Sequence, residues 1–182
     1  LQSLDRHEEA KAELDENVAK RSKRVMESPN NLVFQRDYAI ILQRVGSLYS
    51  DQDKLKKSIE QHEISLDIFN SLIDAQPTNG QAVRDLAWQN YFLGEAYIED
   101  GQHNRGLDTL ETGVSLIQNR CVADTTDFRT RNDAPRFLYA YINKCGVLGV
   151  HDRAKKTCYN VLLVLQPVVE ANPDNYALAE MY

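Results

Sequence analysis

The sequence predicts an all-α fold, an array of antiparallel helix pairs stacked one on the next, and three observations carry that prediction. Landmarks recur every 48 residues: Pro29, Pro77 and Pro173 keep this register, as do Arg36-Asp37 with Arg84-Asp85, Gly46 and Tyr49 with Gly94 and Tyr97, and Gly101 with Gly149. Between the landmarks, apolar residues fall at helical spacings. Pro, Asn and Gly cluster where one helix should end and another begin. A recurrence kept over a whole chain is the mark of stacked supersecondary units, each burying its apolar face on its neighbours rather than in one central core.

Composition agrees with a folded chain. Of 182 residues, 42% are hydrophobic and 26% charged. The 48-residue spacing divides the length into a second helix of a partial unit (1–28), three units (29–76, 77–124 and 125–172) and the start of another (173–182). The longest apolar run, 161–165, is far short of the ~20 residues of a membrane-spanning helix, and no charged-then-apolar leader opens the sequence. A formal charge of −6 argues against general nucleic-acid binding, which depends on neutralising phosphates. Three cysteines with no Cys-x-x-Cys pair argue for reduced, packed thiols and against a zinc site.

Each element follows from local residues. Residues 1–27 contain no Gly or Pro, and Ala10, Leu14, Val18 and Val25 form one thin apolar stripe, which suits a helix at an end. Ser28-Pro29-Asn30-Asn31 should stop it and start a helix from 31 to about 50. After Asp51-Gln52-Asp53 a second helix should run from 54 to about 75, with Leu55, Ile59, Leu66, Phe69 and Ile73 on one stripe that Ile68 and Leu72 widen. Gln76-Pro77-Thr78-Asn79 closes that unit, and the next repeats it with helices 79–98 and 102–120 around Glu99-Asp100-Gly101.

The third unit departs from the pattern. Thr125 stands where Pro is expected, and the polar stretch from Cys121 to Asp133 predicts a long, mobile loop, with Asp133 capping a late helix whose first turn holds Pro135. That helix should reach about 147, turn at Leu148-Gly149-Val150, and be answered by a helix from 151 to about 171 that Pro167 kinks near its end.

At Leu93-Gly94, Tyr97, Gly101, Gly106-Leu107 and Gly113-Val114 the chain resembles a tetratricopeptide repeat. The common unit of that family has about 34 residues. Here each helix is seven residues longer, two turns that return nearly to the same face. The Pro-x-Asn, Arg-Asp-Leu-Ala, Leu-Gly pattern resembles the long variety found beside kinase, regulator and signalling ATPase modules in bacterial proteins. The resemblance implies a right-handed superhelical solenoid, part of a larger bacterial signalling or regulatory protein. Its expected compartment is the cytoplasm, or the periplasm if the full protein carries a membrane anchor.

Catalysis has no support in the sequence: no nucleophile-base constellation, phosphate loop or metal-ligand motif is present, so neither enzyme activity nor a cofactor is expected. His7, His103 and His151 share a register, but stacked units sit on the order of 10 Å apart, too far to share one ion, so packing is the expected role. His62 replaces an apolar residue and should be a core or boundary histidine. Cys145 and Cys158 should face each other between two helices, as packing thiols or as a disulfide.

The resemblance implies that the first helix of each unit lines a concave groove. In this register the lining residues are Arg36, Ile40, Gln43 and Ser47; Arg84, Trp88, Tyr91 and Glu95; and Arg136, Tyr139 and Asn143. Spacings of four and three place each set on one helical face. Arg and aromatic side chains are enriched at binding hot spots. The leading expectation is therefore a scaffold that binds a peptide or helix of a protein partner in this groove, with the arginines meeting a carboxylate and the aromatics an apolar side chain. The alternative is a small-ligand sensory module controlling an attached kinase, ATPase or DNA-binding domain. Self-association through the incomplete end units is a third outcome.

Overall fold

The computed structural model describes residues 2–171, with side chains from 12 onward apart from 168, 169 and 171. Among the described residues there are seven helices and no strand: α1 (Gln2–Glu27), α2 (Leu32–Asp51), α3 (Leu55–Ala75), α4 (Gly80–Glu99), α5 (His103–Ala123), α6 (Phe128–Val147) and α7 (His151–Ala171). The expected start of a further unit at 173–182 lies outside the described residues.

The 48-residue spacing reappears in the helix bounds. α2, α4 and α6 each have 20 residues, while α3, α5 and α7 each have 21. The caps explain why the bounds recur. Asn31 and Asn79 precede α2 and α4 with extended backbone, and each side-chain oxygen accepts the second and third amides of its helix, satisfying donors with no partner inside the helix. Just past the C-terminal ends of α2, α4 and α6, Asp53, Gly101 and Gly149 take left-handed backbone with φ of 57°, 81° and 71°. The amides of Lys54, Gln102 and Val150 then reach back to the carbonyls of Tyr49, Tyr97 and Cys145, the Schellman closure of a helix end. Asp53 makes that turn at some strain, because its side chain carries a Cβ that the two glycines lack.

Helices adjacent in sequence pack on one another throughout, and α2 also reaches α4 while α5 reaches α7. The close approach of α4 and α5 depends on missing side chains: a Cβ on Gly106 would lie 2.7 Å from the Gly94 carbonyl oxygen, so neither position tolerates substitution without movement. Leu93, Ala96 and Tyr97 of α4 bury against Ile59 of α3. On the far side, Leu107, Leu110, Val114 and Ile117 of α5 join Phe137 and Tyr141 of α6 and Val161 and Leu165 of α7 in the largest cluster. Arg105 with Glu63, and Arg153 with Glu111, tie α5 to α3 and α7 to α5 in the same register.

The third unit corrects the expectation drawn for it. The stretch expected to be a long loop is mostly helical, since α5 continues to Ala123 and α6 begins at Phe128, leaving only 124–127 between them. Aspartates do the work of the missing Pro-Asn pair. Asp124 Oδ1 accepts the Thr126 amide, Asp127 Oδ1 accepts the Thr130 amide as the cap, and Arg120 bridges both carboxylates at 2.7 and 3.2 Å. Those bonds hold the Asp127 carboxyl below its ordinary range against the opposing effect of burial. Asp133 is therefore not the cap, and Pro135 sits well inside α6 rather than in its first turn. α7 keeps its expected bounds, with Pro167 inside the helix. Asp127→Ala should lower stability by about 1–2 kcal/mol, the usual loss for a cap, and open the 124–127 connection to limited proteolysis. An unchanged urea midpoint together with an unchanged digestion pattern would deny Asp127 that role.

Two further expectations are settled by burial. His103 and His151 are exposed at the first residues of α5 and α7, so packing does not explain their shared register; His7 lies outside the described side chains. Cys121, Cys145 and Cys158 are all free thiols, not a disulfide. Burial pushes the Cys121 thiol up to about 11 and raises the other two, keeping them protonated.

Candidate functional site

The expected lining residues of α2 and α4 share a face, but the charged ones, Arg36, Arg84 and Glu95, are each engaged with an oppositely charged residue of a neighbouring helix. Arg36 on α2 binds the carboxylate of Asp85 on α4, and Arg84 on α4 binds Asp133 on α6; each pair is separated by 49 residues, so the same contact joins successive units. The Asp85 hydrogen bond holds the Arg36 guanidinium in its charged form. Glu95 on α4 pairs with Lys144 on α6 at 2.5 Å, while its Oε1 is buried without a partner. Arg36 and Arg84, two of the arginines expected to meet a partner's carboxylate, thus already hold carboxylates of the neighbouring helix. The residues they use, Asp85 of the second Arg-Asp pair and its counterpart Asp133, were visible in the sequence only as part of the repeat pattern.

The aromatic residues form a cluster across α4 and α6. The Trp88 ring lies 4.8 Å from Phe137, 5.4 Å from Tyr91 and 5.9 Å from Phe92, mostly edge to face, and its indole N–H donates to Asp133 Oδ2 at 3.1 Å. Tyr91 is half-buried, and burial, with the nearby Glu95 charge, raises its phenol. Packing thus claims part of both rings.

What remains open is a cleft of about 340 Å³ between α2 and α4, lined by Ile40, Gln43, Phe69, Asp85, Trp88 and Phe92. The expected row supplied Ile40, Gln43 and Trp88, and missed Phe92, Phe69 and Asp85. Phe92 was within reach of the sequence, because it stands four residues after Trp88 on the same helical face. Phe69 was not, since it enters from α3 and its position depends on how α3 crosses behind the other two helices. A smaller cleft of about 210 Å³, lined by Arg21, Asp37, Ile40, Ile41 and Arg44, continues the face toward α1. Arg136, Tyr139 and Asn143 do not join the cleft: they are exposed on α6 and make no hydrogen bond or ion pair among the described residues. Ser47 donates to the Gln43 carbonyl within α2.

Behind the cleft lies a buried polar group at the junction of three helices. The Gln89 amide nitrogen donates to the His62 carbonyl at 2.7 Å and faces His62 Nδ1 at 3.2 Å. Gln89 Oε1 accepts from Gln43 Nε2 at 3.0 Å and lies 3.1 Å from the Ser65 hydroxyl. His62 is the buried core histidine expected of its register, only 1% exposed, with its ring against Gly46 and stacked on Phe92. Burial lowers its pKa to about 4, so it is neutral at pH 7.

Among the described residues no cluster of His, Cys, Asp or Glu could hold a metal ion, and no helix is long and apolar enough to cross a membrane. No protein-family description, curated protein or solved structure matches this chain.

Proposed function

We propose that the chain is a tetratricopeptide-like, right-handed superhelical scaffold without catalytic activity, and that it binds a peptide or helix of a protein partner along the face shared by α2, α4 and α6. One observation carries this reading: an open, mainly apolar cleft on that face, walled by Trp88 and Phe92, stays uncovered while the neighbouring Phe137 ring is buried. The Arg36–Asp85 and Arg84–Asp133 pairs fix the spacing of the helices that form it. The recurrence of helix lengths supports a repeated array of helix pairs, which the family reading requires.

The paired arginines decide which variants can test it. Arg84→Ala would strip the partner from Asp133, whose side chain is 5% exposed, and so would confuse loss of binding with loss of structure. Ile40→Asp with Tyr91→Ala alters the open surface more cleanly. Peptides selected from a random display library on the wild-type chain should bind this double variant at least tenfold more weakly, with helicity by circular dichroism unchanged. Equal binding to both proteins would place recognition on another face.

A further inference from the structure

The buried amide network behind the cleft determines what the cleft offers a ligand. A main-chain carbonyl can only accept, so the Gln89 atom 2.7 Å from the His62 carbonyl must be Nε2. Gln89 Oε1 therefore faces the other way, toward Ser65 and Gln43, and Gln43 must turn its own Nε2 toward it. Gln43 Oε1 is then left without a hydrogen bond among the described residues, on a residue that lines the cleft.

The other polar groups of the lining are already engaged. Trp88 Nε1 donates to Asp133, and both oxygens of Asp85 hold Arg36, with Gln81 also on Oδ1. A cation entering here would meet the Arg36 guanidinium and an anion would meet Asp85, so a formal charge of either sign is disfavoured. The partial negative charge of one amide oxygen, set among apolar walls, complements the partial positive charge of an N–H or O–H. A volume of about 340 Å³ accommodates an aromatic ring system, and the faces of Trp88 and Phe92 suit one.

We propose that the cleft takes a neutral aromatic side chain with a single hydrogen-bond donor, a tryptophan or tyrosine of the partner segment, and that Gln43 Oε1 is the acceptor that selects it. This rests on the reading of the α2–α4 face as the binding face and names its preferred anchor. Gln89, held by His62 and Ser65, acts as a positioning residue by fixing the Gln43 amide.

The test uses indole and 1-methylindole, which differ by the donor. Trp88 is the only tryptophan in the chain, so its indole N–H gives one assignable nuclear magnetic resonance signal inside the site. Titrating the intact chain with indole should shift that signal, and 1-methylindole should bind about fivefold more weakly, the usual worth of one hydrogen bond. Gln43→Leu should erase the difference by letting 1-methylindole bind as well as indole; if that variant loses helicity, Gln43→Met serves the same purpose. Equal binding of both probes to the wild type, or a preference for indole that survives removal of Gln43, overturns the proposal. Failure of indole to move the Trp88 signal also overturns it, and the broader peptide reading then stands or falls separately on the Ile40→Asp, Tyr91→Ala comparison.

Discussion

Phe137→Ala should destabilise the chain by about 3–5 kcal/mol, the range for removing a buried aromatic ring and leaving a cavity. Phe137 is 2% exposed, lies 4.8 Å from the Trp88 ring and 5.8 Å from Tyr91, and presses on α5 where a Cβ at Gly113 would sit 3.1 Å from its ring. It thus packs α6 against both α4 and α5. Because stability in such an array is a sum of local and neighbour terms, α6 and α7 should come away first in urea, before the α2–α4 part unfolds. The native fluorescence of Trp88 should shift to the red as its ring loses cover. A variant with the wild-type midpoint and the wild-type emission maximum would show that Phe137 is not part of this core.

Acid should weaken the chain through His62. Its folded pKa is lowered to about 4 by burial, while the unfolded chain titrates near 6.5. Between those values the unfolded state binds a proton that the folded state refuses, so this contribution is fully present above pH 6.5, declines as the pH falls, and is lost by about pH 4. The loss amounts to about 2 kcal/mol by pH 5 and about 3 kcal/mol in full. Urea unfolding at pH 7 and pH 5 measures it. His62→Leu, which places the residue of the equivalent α5 position, Leu110, should make the two pH values nearly equivalent. No charged group contributes to the shift, which burial alone causes, so added salt should leave the wild-type difference in place. A wild-type chain equally stable at both pH values would mean that water reaches His62.

The two effects meet in the same region. Phe92 stacks on His62 and also walls the cleft, and Gln89 joins His62 to Gln43. Protonating His62 would place an N–H against the Gln89 N–H, so loss of stability in acid should be accompanied by loss of order at the cleft.

The sequence by itself determined the helices, their pairing and their spacing, because those depend on short-range chemistry. Asn31 and Asn79 cap whatever helix follows them, Gly101 and Gly149 permit the left-handed residue that closes a helix, and the stripe from Leu55 to Ile73 must be buried wherever the helix lies. It also put Ile40 and Gln43 on one face of α2, since helical spacing is enough for that, and the 48-residue register set Trp88 at the place on α4 that matches Ile40. It failed at 121–133, where Asp127 caps α6 and Arg120 pairs with Asp124 and Asp127 in place of a Pro-Asn pair; these contacts are short-range too, but the polar residues that make them also read as a loop. Only the tertiary structure decided the state of the arginines. Whether Arg36 and Arg84 face a ligand or a neighbouring helix depends on which aspartate a residue 49 positions away brings within reach, and helical periodicity along one chain segment carries no such information. The same holds for Phe69, which reaches the cleft from the helix behind it, and for the amide orientation of Gln43, whose Nε2 is turned to Gln89 by a main-chain carbonyl on α3 acting through that side chain of α4.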